Sequence, residues 1–138
     1  MSYLLDTNVL SETVRTTPHE AVMNWLQQIP DDHLYISVLS LGEIRKGIEK
    51  LSPGSRRERL RLWLEHDLTA WFGVRVLPID KAVADRWGCL LGGMDRSIPA
   101  IDSLLAATAM HHELRLVTRN VQDFVFPGLE VVNPWIWS

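Results

Sequence analysis

The sequence predicts an α/β fold: three layers, α/β/α, around a central, mostly parallel sheet of five strands. Three observations predict it. Short β-rich apolar runs alternate with longer segments of helical period almost throughout, as parallel sheets covered on both faces require. Caps, prolines and glycine pairs fall at the borders between the two kinds of segment. Carboxylates stand at the edges of the apolar runs, where the strand ends of an open α/β sheet form a ligand crevice.

Tyr3-Leu4-Leu5 is the first strand, closed by the turn and cap formers Asp6-Thr7-Asn8. Asn8 or Ser11 caps a short helix that ends before Pro18. A second helix covers roughly residues 19 to 28, with Ala21, Val22, Trp25, Leu26 and Ile29 at helical spacing and Pro30 as its stop. The second strand spans Leu34 to Val38. Ser40-Leu41-Gly42-Glu43 opens the third helix as a capping box, in which the glutamate turns back to the helix start. Ile44, Ile48 and Leu51 form its apolar stripe, and Pro53-Gly54 ends it.

A fourth helix runs from about Ser55 to Trp71, with Leu60, Trp63, Leu64 and Leu68 inward and its arginines outward. Val74 to Leu77 is the third strand. Asp80 caps a helix through about Leu91, and Gly92-Gly93 opens a loop. Pro99 suits the first turn of the helix from Ala100 to about His112. Leu114 to Thr118 is the fourth strand and Leu129 to Val132 the fifth, with Pro134 and two tryptophans closing the chain.

At 138 residues, 46 % apolar and 22 % charged, the sequence reads as one soluble domain, residues 1–138, with room for a substantial core. No apolar run approaches a membrane span, and Met1-Ser2-Tyr3 lacks the basic region of a signal peptide. A single cysteine, Cys89, allows neither an intrachain disulfide nor a cysteine zinc site. Cys89 is expected to be a small core residue, and a reducing cytoplasm is the expected compartment. Total charge is −3, but residues 45 to 61 carry seven cations against two anions, leaving −8 for the rest. That stretch suits a phosphodiester backbone beside an acidic pocket, or else a solvated helix face with Arg/Glu pairs.

Asp6, Glu43, Asp102 and Asp123 are the acids that a parallel sheet brings toward one end. Carboxylates gathered there repel unless they share a proton or a cation. Each also has a structural explanation: Asp6 as a helix cap, Glu43 as a capping-box residue, Asp102 in a first turn that favours anions, Asp123 as a turn former. Asp6 is the least easily explained without a partner, because it closes the most buried strand. Asn8, Thr118 and Asn120 add polar groups able to ligate or orient a water. Such an oxygen-only set suits Mg²⁺ or Mn²⁺. His111 and His112, at the far end of the Asp102 helix, are expected at its cap or surface.

Four segments resemble the motifs of PIN-domain ribonucleases, in the right order. Leu4-Leu5-Asp6-Thr7-Asn8-Val9-Leu10-Ser11-Glu12 is similar to the opening motif. Ser37-Val38-Leu39-Ser40-Leu41-Gly42-Glu43-Ile44 resembles the second, Ala100-Ile101-Asp102-Ser103-Leu104-Leu105-Ala106-Ala107 the third, and Leu116-Val117-Thr118-Arg119-Asn120-Val121-Gln122-Asp123-Phe124 the fourth. The tail Val131-Val132-Asn133-Pro134-Trp135 resembles VapC-type toxins of the FitB group. The chain departs from many relatives at the fourth acid, where Asn120 stands two residues after the threonine and Asp123 is either the substitute or a turn residue.

This resemblance implies a PIN fold and a Mg²⁺- or Mn²⁺-dependent endoribonuclease, the toxin of a toxin–antitoxin pair. Asp6, Asp102 and Glu43 would hold metal, with Asp123 completing the catalytic set and Asn8, Thr118 and Asn120 in support, and Arg45, Lys46 or the arginines of 56–61 would hold the RNA backbone. It also implies a homodimer bound by a VapB-type antitoxin, with DNA reached only through that antitoxin and no membrane. The rival class is a binding module: the co-regulatory half of a DNA-binding complex, with little nuclease activity of its own. Two other acid-pocket folds fit poorly. A haloacid-dehalogenase phosphatase needs an aspartate where Asn8 stands, and a receiver domain needs a lysine after a late strand, but none follows Lys81.

Overall fold

The computed structural model describes residues 1–137. Five strands, β1 (Tyr3–Leu5), β2 (Leu34–Ser37), β3 (Val76–Leu77), β4 (Arg115–Val117) and β5 (Val131–Val132), form one sheet in the order β3-β2-β1-β4-β5. Every pairing is parallel, with Tyr3 opposite both Leu34 and Arg115, and Leu5 opposite Val117.

Side chains alternate across the strands, so each strand feeds both faces. Leu5, Leu34, Ile36 and Val117 point to one face. There they meet α1 (Thr7–Thr13), α2 (Glu20–Gln28), α3 (Val38–Glu49), α4 (Ser55–Leu62) and α5 (Leu68–Phe72) through Val9, Leu10, Trp25, Ile44, Leu60 and Phe72, with Trp63 just beyond α4 in the same core. Leu4 and Leu116 point to the other face and meet α7 (Ala100–His111) through Leu105, Ala106 and Ala109, with Leu90 of α6 (Lys81–Gly92) packed alongside. Small alanines let α7 lie close to the sheet. Phe124 and Phe126, beyond β4, close that second core. Among the described residues, no helix is long and apolar enough to cross a membrane.

Several local expectations are corrected. Asp6 is the N-cap of α1, the structural role the sequence also offered for it, and Asn8 and Ser11 are not; its carboxylate accepts from the Thr7 amide. The capping box does not form. Ser37 caps α3 by accepting from the Leu39 amide, so the helix begins directly at the end of β2 and Ser40 lies inside it. The third strand is shorter than expected because residues 73–75 form a 3₁₀ turn that leaves Val74 97 % exposed. Pro99 is the residue before α7 rather than within its first turn. The fourth helix is expected as one piece, and a π turn at Trp63–Asp67 joins α4 to α5. Cys89 is exposed, not a core residue. His112 caps the end of α7 and His111 is exposed in its last turn, as expected. Glu12, buried at 4 % exposure, accepts from the His19 amide at 2.8 Å and so ties α1 to the start of α2.

Candidate active site

The chain leaves β1 toward one face of the sheet, through α1 and α2, while α6 and α7 lead into β4 from the other. The neighbouring carboxyl ends of β1 and β4 are therefore a topological switch point, where connections part and leave a crevice. Asp6 stands there. Its amide donates to the Val117 carbonyl at 2.9 Å, which continues the β1/β4 ladder by one residue. Its Oδ1 accepts from the Thr7 amide at 2.7 Å, and its Oδ2 accepts from the Thr118 hydroxyl at 2.8 Å and from Asn8 Nδ2 at 3.4 Å.

Thr118 is fully buried. Its Oγ1 also receives the Asn120 amide at 3.1 Å and Asn8 Nδ2 at 3.2 Å. Asn8 Oδ1 in turn accepts from the Arg119 amide at 3.4 Å. Asp6, Asn8, Thr118 and the Asn120 backbone thus form one network that spans the crevice. Burial is the main force raising the Asp6 carboxyl above the ordinary range; the Thr118 and Thr7 hydrogen bonds oppose it, and the charges of Glu43 and Asp102 add to it.

Glu43, one turn into α3, is exposed but not free: its Oε1 accepts the Thr7 hydroxyl at 2.7 Å. Asp102 lies half-buried in the first turn of α7. Burial again leads the rise in its pKa, followed by the charges of Asp123 and then Glu43. Asp123 closes the 3₁₀ turn Val121–Asp123 after β4 and is exposed. Three of the four acids therefore act on one another directly, and Asp123 reaches the set through Asp102. Asn120 contributes its backbone N–H to the network, before that same turn.

The donor set is oxygen only, which fits a hard divalent cation. Among the described residues, no three acidic side chains stand close enough to form a ready-made cage. A bound cation would offset the burial that chiefly raises the Asp6 and Asp102 carboxyls and the like charge that adds to it.

A groove of ≈ 890 Å³ leads away from Thr7, Asn8 and Glu43 along Ile44, Ile48 and Trp63 to Arg56 and Arg59, with Arg119 and Trp135 on its wall. The Arg119 guanidinium lies over the Trp135 ring, 5.4 Å from its centroid. The basic stretch divides in two. Arg45 pairs with Glu49 and Glu65, Arg57 with Glu49, and Arg61 with Glu58 and Glu65. Arg56 and Arg59 line the groove instead. Arg45 lies at the surface, 3.9 Å from Glu49 and 3.6 Å from Glu65. Lys46 lies in a separate recess with Glu43, Lys50 and Ile101.

Sequence reasoning passed over Thr7 and the Arg119–Trp135 pair. Thr7 carried a signal, as the residue directly after a strand-closing aspartate. The Arg119–Trp135 contact joins positions far apart in sequence and carried none.

The model of the PIN domain matches residues 3–124. Toxin FitB of Neisseria gonorrhoeae is 35 % identical over 135 residues, covering 96 % of this chain and 97 % of that protein. VapC ribonuclease Y4jK of Sinorhizobium fredii is 33 % identical, covering 96 % of each. The structure of FitAB bound to an IR36 DNA fragment superposes with a TM-score of 0.89 at 32 % identity, covering 99 % of this chain and 97 % of that one.

Proposed function

The chain belongs to the PIN-domain family, in the group of the FitB and VapC toxins, and from that premise we propose that it is the ribonuclease toxin of a toxin–antitoxin pair. The observation that carries the reading is Asp6 at the β1/β4 switch point, held by the Thr118 hydroxyl and the Thr7 amide, with the charges of Glu43 and Asp102 acting on its carboxyl. Asp6 and Asp102 would hold Mg²⁺ or Mn²⁺, with Glu43 beside them. When bound, the cation supplies Lewis-acid polarisation of the phosphodiester and a more acidic water. Glu43, an exposed carboxylate beside Asp6, accepts the proton of the attacking water. Thr118 and Asn8 fix the direction of Asp6 Oδ2, and Asp123 keeps negative charge on the Asp102 side. Arg56, Arg59 and Arg119, rather than Arg45, hold the RNA backbone along the groove.

A protein partner belongs to the same reading. The FitAB–DNA assembly supports an antitoxin that binds this chain and supplies the DNA contacts. A homodimer is part of the proposal.

Expression of the chain alone is expected to arrest growth with loss of intact RNA, and Asp102→Ala to abolish both. Co-expression of the antitoxin is expected to restore growth. Arrest by Asp102→Ala equal to that by the unchanged chain contradicts the enzyme reading. No arrest from either favours the binding module.

A further inference from the structure

We propose that Thr7 is a positioning residue that fixes Glu43 against Asp6, its amide holding Asp6 Oδ1 and its hydroxyl holding Glu43 Oε1. Both contacts are 2.7 Å long, so one residue grips two carboxylates with two different groups. This rests on the reading of the site as a nuclease centre.

The two acids need such a grip. Glu43 is exposed, on a side chain with three rotatable bonds, and it faces like charge from Asp6 and Asp102. Left alone, its carboxylate would swing outward to solvent. Thr7 opposes that swing with a fixed donor. It is β-branched and lies in the first turn of α1, where its χ1 is restricted, and its amide is already engaged. Only its hydroxyl remains, and it is directed at α3.

Ser40 completes the chain of contacts. It is fully buried, and its Oγ lies 3.0 Å from Thr7 Oγ1. A threonine hydroxyl has one proton, and the carboxylate is the stronger acceptor. Thr7 therefore donates to Glu43, and Ser40 donates to Thr7. The order Ser40, Thr7, Glu43 polarises each bond in the same sense and strengthens the last. Ser40 lies one turn before Glu43 on the same face of α3, so the helix that carries the acid also carries the group that supports its partner.

The test compares Thr7→Val, which keeps the shape and the amide but loses the hydroxyl, with Thr7→Ser, which keeps the hydroxyl, and both with Glu43→Ala and the Thr7→Val/Glu43→Ala pair. Thr7→Ala serves as a second variant if valine is not accommodated. In RNA cleavage at saturating Mg²⁺, Thr7→Val is expected to lower kcat about tenfold or more, on the scale of a hydrogen bond to a charged group. KM stays within about twofold, since the groove arginines Arg56, Arg59 and Arg119 are untouched, and Thr7→Ser restores kcat. The valine substitution adds no further loss on the Glu43→Ala background. A wild-type kcat in Thr7→Val, a serine variant as poor as the valine one, or a full additive loss in the pair overturns the inference. If the unchanged chain cleaves no RNA, the nuclease reading fails by itself. The inference is then decided by melting the unchanged chain, Thr7→Val, Glu43→Ala and the pair in EDTA: non-additive shifts in Tm sustain the Thr7–Glu43 grip and additive shifts overturn it.

Discussion

Asp6 and Asp102 carry negative charge where burial and neighbouring acids oppose it, and that has a measurable sign. A carboxyl whose pKa is higher in the folded protein binds its proton more tightly there than in the unfolded chain. Folding is therefore favoured at low pH, and the advantage is lost as pH rises from the ordinary carboxylate range through the raised folded value. Asp102 is the cleaner probe, since hydrogen bonds contribute nothing to its shift. In EDTA, Asp102→Asn is expected to melt above the unchanged protein at pH 7, with the gap closing toward pH 4. Divalent cation should then raise the Tm of the unchanged protein more than that of the variant, because it binds only the folded state. A variant that melts lower at pH 7 in EDTA contradicts the electrostatic account. Asp6 was legible in the sequence because a charge closing a buried strand needs a partner. Thr7 was marked only by its place after that aspartate, and its contact with Glu43, 36 residues on, was not legible.

The start of α3 decides how Glu43 is used. Ser40 and Glu43 have the spacing of a capping box, and local chemistry alone favours that reading. The sheet overrides it: β2 runs into α3 without a loop, so the strand's last residue, Ser37, becomes the cap. Glu43 is thereby released from the helix end and turned toward Thr7. Ser37→Ala is expected to cost about 1 kcal/mol in denaturant melts. Glu43→Ala, which removes no cap, is expected to cost less than the loss of a cap typically does. The reverse ranking would restore the capping box. Helical spacing showed the pairs within one stretch, Arg45 with Glu49 and Arg61 with Glu58 and Glu65, but not Arg57 with Glu49 or Arg45 with Glu65, which depend on how α3 packs against the following helix. Single-stranded RNA binding should show the division. Arg56→Gln/Arg59→Gln is expected to lower the slope of log K against log salt by about 1.4, near 0.7 per phosphate contact on single strands. Arg45→Gln should leave the slope unchanged. Equal effects from both would mean that ion pairing in the folded protein does not govern which arginines reach the RNA.

Across the whole molecule, the alternation of periods carried the fold class and the parallel sheet, because layered α/β packing imposes both patterns on every segment. The short edge strands were less legible. β3 and β5 are two residues each, and their limits depend on partners in β2 and β4 rather than on their own sequence. Strand order was not legible either, and it makes the site: only with β1 beside β4 do Asp6 and Thr118 meet. The central claim is that this meeting point is a metal-dependent centre that hydrolyses RNA. It is tested most directly by single-turnover cleavage of end-labelled RNA with purified protein, in Mg²⁺, in Mn²⁺ and in EDTA, for the unchanged chain and Asp6→Asn. The account predicts cleavage by the unchanged chain with either cation, none in EDTA, and a loss of at least about a hundredfold in Asp6→Asn, on the scale of removing a metal-holding or acid–base group. Equal cleavage by Asp6→Asn, or undiminished cleavage in EDTA, would contradict it.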